Sequence, residues 1–367
     1  MQLDIDQTAE QGADAVDLRE GKDGVWAVLS TVARLAPVPV RDISRRTGLP
    51  VPIVAAICGE LRKHGLLDGT RPARLSARAA ELPELRGIPA EADFTEVVAE
   101  LRDIAAAAPA ADVAIDQSHC TVETKLRRAL YLLHETAAAR SGLLLLGDDD
   151  LTSIAVTLVA RQSGLSVPIT VLDVDGRVVD FIRSQAPDVD CRVHDLRAPL
   201  PEDLLGAFGV AMTDPPYTVE GAVLFVARAV SGLQPGAGAE VLLCFGPKDH
   251  AASLELYRRL GAMGLYPRAV VRAFSEYLGA GVLGGVSNLH HLVTGSAERP
   301  APDASLGSGP IYTGDSGPAA RDYECTRCGA VRRVGRGARW RDVAELKASG
   351  CGGGCESTSF RPRARPR

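Results

Sequence analysis

The sequence contains no run approaching the roughly 20 apolar residues that a membrane span requires, so none of its 367 residues is expected to cross a bilayer. It has no excess of positive charge. Lys and Arg number 41 against 46 Asp and Glu, for a formal net charge of -5, so bulk attraction to nucleic acid is not expected. The opening residues, MQLDIDQTAEQGADAVD, have neither the basic nor the apolar stretch of a secretory leader; residues 1–22 are expected to form a mobile, cytoplasmic N-terminus. No internal repeat is visible. Nor do the cysteines suggest a disulfide framework: Cys58, Cys120, Cys191 and Cys244 are scattered through apolar segments and read as small buried hydrophobes in a reducing compartment.

What is present falls into segments. From residue 23 to 104 the chain reads as helices with a tight turn at Gly48, then a short terminal stretch, which is the pattern of a winged-helix-like domain. The third of these helices, Val51 to His64, offers mostly Val, Ile, Ala and Cys, with few side chains able to read base edges. Packing or dimerisation is therefore its expected role, and a homodimer the expected assembly. An Ala/Pro stretch from Ala105 to Asp112 marks a linker. Over residues 112–294, SGLLLLGDDD, VPITVLDVD, VDCRVHDL, GVAMTDPPY and AEVLLCFGP are short apolar runs alternating with helix-like stretches. Buried parallel strands read this way, and the alternation predicts a doubly wound α/β, Rossmann-like sheet. YPRAVVRAF and SNLHHLVTG are candidates for an antiparallel edge. Residues 295–322 are rich in Gly, Ser, Pro and Ala and read as a flexible linker, 323–358 as a cysteine-bearing module, and 359–367 as a basic tail.

In open α/β sheets ligands sit beyond the C-terminal strand ends, and here those ends are acidic: Gly147-Asp148-Asp149-Asp150, Asp173-Val174-Asp175, Asp195-Leu196 and Asp214-Pro215-Pro216-Tyr217. A lone Asp at such a place is usually a turn or helix-capping residue. Four consecutive acidic strand ends point instead to a cationic or donor-rich ligand, because crowded carboxylates raise each other's pKa unless compensated. GDDD stands where a dinucleotide site needs G-x-G-x-x-G, so a pyrophosphate would be repelled. A phosphate-free adenosyl sulfonium fits better, with Asp173 or Asp175 accepting from ribose hydroxyls and Asp195 from an adenine amino group. Asp150 also has the option of capping the helix that follows. The two prolines of Asp214-Pro215-Pro216-Tyr217 make a rigid turn that presents a carboxylate and a ring to an amine; methyltransferases acting on nucleobase amines carry the same tetrapeptide.

DQSHCTVETKLRRA, LLGDDDLTSIAV, LDVDGRVVDFI, HDLRAPLP and TDPPYTVEGAVLFVARAV follow one another as they do in the branched-chain polyamine synthases, which the chain resembles over about residues 20–295. The resemblance implies a winged-helix-like domain ahead of a sheet of the S-adenosylmethionine-methyltransferase type. It implies transfer of an aminopropyl group from decarboxylated S-adenosylmethionine to a spermidine-type amine, with release of methylthioadenosine. By motif match, Asp149 is the expected base, with Asp214, Pro215, Pro216 and Tyr217 holding the acceptor. Gly147, Asp148, Asp150, Asp173, Asp175, Asp195 and Leu196 are assigned to the donor. The long linker and cysteine-bearing end depart from thermophilic members, in which the C-terminal region helps to recognise the acceptor.

Cys325-x-x-Cys328 and Cys351-x-x-x-Cys355, with 22 residues between the pairs, approach the spacing of a four-thiolate zinc ribbon, so a structural zinc is expected. His290-His291 is not expected to bind metal, since adjacent strand residues face opposite ways. Two other readings stay open: an S-adenosylmethionine-dependent N-methyltransferase, with nucleic acid among its candidate substrates, and a polyamine-sensing regulator built on the winged helix.

Overall fold

The computed structural model describes residues 4–19, 21–69, 72–82, 85, 88, 92–278, 285–295, 306–315, 320–335, 338–340 and 342–363. The first helix, α1 (Ile5–Ala15), starts where Asp4 accepts the Gln7 amide at 3.0 Å. Ile5, Ala9 and Ala13 recur every four residues and form a buried stripe against α2 (Gly21–Leu35), whose Trp26 indole donates to Asp6 at 2.8 Å. The expected mobile segment 1–22 is therefore corrected. An acidic, polar composition hid a narrow stripe of small apolar residues; residues 1–3 and 20 lie outside the described ones.

Helices α3 (Val40–Thr47) and α4 (Val51–Lys63) follow, with Gly48 closing α3 in the left-handed region. The strands β1 (Leu67–Asp68) and β2 (Arg74–Leu75) pair antiparallel ahead of the short α5 (Ala77–Ala80). One hydrophobic core joins Ile5 through Leu85. The next helix, α6 (Thr95–Ala106), belongs to a different core: Ile88, Phe94, Val97 and Leu101 pack with residues of the α/β unit. The boundary expected at residue 104 is thus corrected to between Leu85 and Ile88, because the apolar face of α6 is matched by α7 (Val122–Glu135) and not by the preceding helices. The expected linker at Ala105 begins inside α6.

After α8 (Ala138–Ser141) the chain alternates strands and helices. These are β3 (Leu143–Leu146), α9 (Thr152–Gln162), β4 (Ile169–Asp173), α10 (Gly176–Gln185), β5 (Asp190–Val193), β6 (Val210–Thr213), α11 (Val219–Gly232), β7 (Glu240–Phe245), α12 (His250–Ala262), β8 (Leu265–Glu276) and β9 (Val286–Thr294). They form one seven-stranded sheet, ordered β5-β4-β3-β6-β7-β9-β8. The first five strands are parallel and β9 and β8 antiparallel, so the mostly parallel α/β sheet and its antiparallel edge match the expectation. From β3 the chain winds outward through β4 to β5, then crosses back to β6 and β7. The crevice of such a sheet lies at this reversal, beyond the end of β3.

Two further expectations change. Within the expected linker 295–322, Ile311 and Tyr312 are buried in the core beside α11, which is apolar nearly all round and needs a cover on its outer side. Residues 296–305 and 316–319 of that stretch lie outside the described ones. At the end, β10 (Arg321–Cys325), β11 (Val331–Val334), α13 (Val343–Ser349) and β12 (Phe360–Pro362) form a small module whose sheet is ordered β11-β10-β12. The basic tail expected from 359 therefore starts as a strand paired with β10; residues 364–367 lie outside the described ones.

Candidate functional site

The carboxylates at the strand ends split into two groups, those already spent on the protein and those left facing a cleft. β3 runs into Gly147, whose φ of 74° turns the chain so that Asp148 points inward. Asp148 accepts the Thr152 amide at 2.6 Å and the Ser153 amide at 3.0 Å, capping α9, and burial pushes its pKa up to about 7. Asp150 is also buried. Arg128 on α7 reaches it at 2.6 Å, the Cys120 amide donates to it at 2.5 Å, and the Lys125 ammonium stands 4.0 Å away. Against the upward push of burial, these two cations hold the Asp150 carboxyl below its ordinary range. Asp175 caps α10 through the Arg177 amide and pairs with the Arg177 guanidinium at 2.6 Å, and that hydrogen bond keeps its pKa low. Asp148, Asp150 and Asp175 are thus held by backbone amides and by cations of the protein, and none of the three lines the cleft in which the other donor-assigned residues stand. The capping option left open for Asp150 is taken by Asp148.

Asp149, Asp173, Asp195 and Asp214 line one cleft, together with Gly147, Leu196 and Pro216. Asp173 receives the Asp148 and Asp175 amides, each at 2.8 Å, and burial raises its pKa. Asp195 accepts the Arg197 amide at 2.9 Å. Asp214 takes the second arm of Arg128 at 2.5 Å and the Tyr277 hydroxyl at 2.5 Å; burial still moves its pKa up to about 6. Asp149 differs from the others. Its carboxylate receives the Ser118 amide at 3.2 Å and has no ion-pair partner among the described residues. Burial, then the charges of Asp150, Asp173 and Asp214, push its pKa well above the carboxylate range. Pro215 and Tyr217 stand off the lining; the Tyr217 ring lies edge-on to Tyr277 at 6.4 Å, with the Lys248 ammonium 5.9 Å from its centre.

Sequence reasoning missed three contributors. The first is Arg128, which carries the internal compensation for Asp150 and Asp214. Its signal was present in Lys125 and Arg128, two cations one helical turn apart just before an acidic strand end. The second is the segment 306–315. Buried Asp116 accepts the Tyr217 amide at 3.1 Å, the Thr313 amide at 2.8 Å and the Thr313 hydroxyl at 2.9 Å. Asp315 receives the Ile311 and Tyr312 amides at 3.2 Å each, and Tyr312 becomes a wall of the cleft. The third is His194 on the cleft wall, whose Nε2 is buried without a hydrogen-bond partner among the described residues.

His119, Asp149 and Asp150 also approach one another closely enough to suggest a metal site. The His119 nitrogens, however, face the carbonyls of Asp149 at 3.0 Å and Pro109 at 2.9 Å, and Asp150 belongs to Arg128. His290 meets the Tyr257 hydroxyl at 2.7 Å, while His291 meets Tyr131 and Glu240, each at 3.1 Å. In the C-terminal module the Cys325 and Cys355 sulfurs lie 3.9 Å apart, those of Cys328 and Cys351 3.6 Å apart, and all four fall within 4.8 Å of one another. Tetrahedral thiolates at about 2.3 Å from zinc stand roughly 3.8 Å apart, so the donor set fits that ion. Left-handed Gly352, Gly353 and Gly354 absorb the extra residue between Cys351 and Cys355.

Residues 96–295 match the family model described as the branched-chain polyamine synthase A C-terminal domain. An uncharacterised protein of Methanocaldococcus jannaschii is 31% identical over 345 residues, covering 88% of this chain and 86% of its own. The N(4)-bis(aminopropyl)spermidine synthase of Thermococcus kodakarensis is 30% identical over 259 residues, covering 63% of this chain and 72% of its own. Among solved structures, a mutein of the Thermus thermophilus branched-chain polyamine synthase, in complex with N4-aminopropylspermidine and 5'-methylthioadenosine, superposes with a TM-score of 0.52 at 25% identity. The match covers 85% of this chain and 97% of that one. With its acidic cleft at the sheet reversal and a family match over more than half its length, the chain belongs to the branched-chain polyamine synthase family.

Proposed function

We propose that the protein transfers an aminopropyl group from decarboxylated S-adenosylmethionine to an amine of a spermidine-type polyamine. The observation that carries this reading is Asp149, a half-buried carboxylate on the cleft wall with no ion-pair partner among the described residues, beside carboxylates that Arg128 has neutralised only in part. A donor with a sulfonium and an ammonium supplies the missing charge. The intact donor's own carboxylate would be repelled by the same group. Asp173, Asp195 and His194 suit the hydroxyls and amino group of a nucleoside, and Tyr312 offers a ring to stack on its base.

In the proposed reaction the acceptor nitrogen attacks the aminopropyl carbon next to sulfur. The C–N bond forms, the C–S bond breaks, and its electron pair stays on sulfur as methylthioadenosine leaves. The nitrogen must first lose a proton, which Asp149 accepts; its raised pKa brings it nearer the amine it serves. Asp214 and Tyr217 orient the amine. The N-terminal helices with β1 and β2 are read as a winged-helix-type unit, and the four-cysteine module as a zinc ribbon whose closed thiolate set leaves no open position for catalysis.

Asp149→Asn should lower kcat by about 10² or more, the usual scale for a general base, with donor affinity changed only a few fold. In the wild type, kcat/KM should rise with pH above the ordinary carboxylate range as Asp149 gives up its proton, and Asp149→Asn should lose that limb. Near-normal turnover in Asp149→Asn would remove it from the mechanism.

Because Tyr312 completes the cleft and Asp116 holds its segment, a chain ending at Gly295 should lose donor affinity by about tenfold or more, while staying folded. Calorimetric titration of the truncated chain with methylthioadenosine reads this directly. Unchanged affinity would return the segment to the status of a linker.

The purified chain should carry about one zinc. Metal analysis beside a Cys325→Ser, Cys328→Ser variant checks it, and equal zinc in the two proteins would refute the assignment.

A further inference from the structure

The formal charge of -5 for the whole chain conceals a strong segregation. Residues 320–367 hold eleven Arg and one Lys against five Asp and Glu, so this module carries +7 while residues 1–319 carry -12. A surface of that sign repels polyamines, which makes it a poor clamp for a cationic acceptor. It attracts polyanions.

We propose that the C-terminal four-cysteine module is a binding surface for single-stranded RNA. Eleven of its twelve cations are guanidinium groups, whose planar donor fork matches phosphate oxygens in pairs. Arg321, Arg327 and Arg339 are exposed and form no ion pair among the described residues, whereas Arg361 is tied to Glu324 at 2.7 Å. Arg339 stands 5.1 Å from the centre of the Trp340 ring, and half-buried Tyr323 and Phe360 add two more rings to the same module. Cations interleaved with aromatic rings are the composition by which single strands are bound, the phosphates on the charges and the bases on the rings.

The scaffold suits such a role. The four sulfurs and the β11-β10-β12 sheet fix the backbone on which these side chains stand, so little order has to be gained on binding. Reading a duplex through its major groove calls for a helix that enters it, and α13, the helix described in the module, has seven residues, among them Glu345. Bases stack on rings while their phosphates meet the neighbouring guanidinium groups, so RNA is the occupant proposed and an acidic protein is left as an outcome of the test.

The test uses the full chain and a fluorescently labelled oligouridine of about 20 nucleotides, a length beyond typical single-strand site sizes. Anisotropy is measured across NaCl concentrations. Salt-dependent binding is expected, and changing Arg321, Arg327 and Arg339 together to Ser should weaken it at least about tenfold at low salt. The slope of log K against log salt should fall by about 2, near 0.7 for each lost phosphate contact. Lys at the same three positions should preserve the slope, which separates lost charge from a damaged fold. Aminopropyl transfer should be unchanged in both variants, since none of the three residues touches the cleft. Absence of binding, or binding that survives the Ser substitutions, would overturn the proposal. Competition by polyglutamate as effective as that by unlabelled RNA would also overturn it, in favour of an acidic protein partner.

Discussion

A single buried guanidinium sets the electrostatics of the cleft. The Arg128 side chain, 1% exposed, reaches Asp150 at 2.6 Å with one arm and Asp214 at 2.5 Å with the other. It also donates to the Ser275 and Tyr277 hydroxyls at 3.0 Å, so the turns after β3 and β6 are tied to the far edge of the sheet. Removing one member of a buried ion pair typically costs about 3–5 kcal/mol, because the partner charge is left without compensation. Here two carboxylates depend on the same cation. A fork has two arms, and both are occupied, so the third carboxylate of the neighbourhood, Asp149, is left for a ligand's charge to satisfy.

The helix that carries Arg128 is also held at its other end. Glu135, the last residue of α7, receives Arg34 of α2 at 3.1 Å and Arg46 of α3 at 2.7 Å. Nearby, the Arg140 guanidinium lies 4.2 Å over the Trp26 ring, whose indole is bound to Asp6 of α1. The N-terminal unit therefore contacts the C-terminal end of α7, the helix that carries Arg128. Partly exposed ion pairs contribute only about 0.2–1 kcal/mol each, and an exposed cation–π contact is of the same order. These contacts set a preferred position without making the two units one rigid block.

What the sequence made legible follows from the range of the interactions involved. Acidic strand ends, buried strands and the antiparallel edge are local patterns, and β3 through β9 stand where those patterns placed them. The division of labour among the aspartates is not local. Asp148 and Asp150 are two residues apart and look alike in sequence, yet one meets the start of α9 and the other meets α7, more than twenty residues upstream. The segment around Tyr312 was hidden for the same reason. Its Gly, Ser and Pro composition describes a chain without regular structure, and its anchor, Asp116, lies nearly two hundred residues earlier. Helix α1 was hidden by composition in another way: three apolar residues at helical spacing, Ile5, Ala9 and Ala13, outweigh a polar average once a partner face exists.

The pKa directions divide the carboxylates by task. Asp150 and Asp175 are depressed; a carboxyl whose folded pKa lies below its unfolded value contributes stability above that value and loses it as pH falls through the folded one. Asp148, Asp149, Asp173 and Asp214 are raised, so they favour the fold at low pH and burden it as pH rises past the unfolded carboxylate range. Groups that cost stability at neutral pH and lie beside a cleft are a signature of a site waiting for a ligand. In the proposed reaction that cost is offset when the cationic donor and acceptor arrive, because each added positive charge favours the ionised form of Asp149. Proton affinity built by burial is thus relieved by substrate, and the base becomes available at the moment an amine is present to be deprotonated.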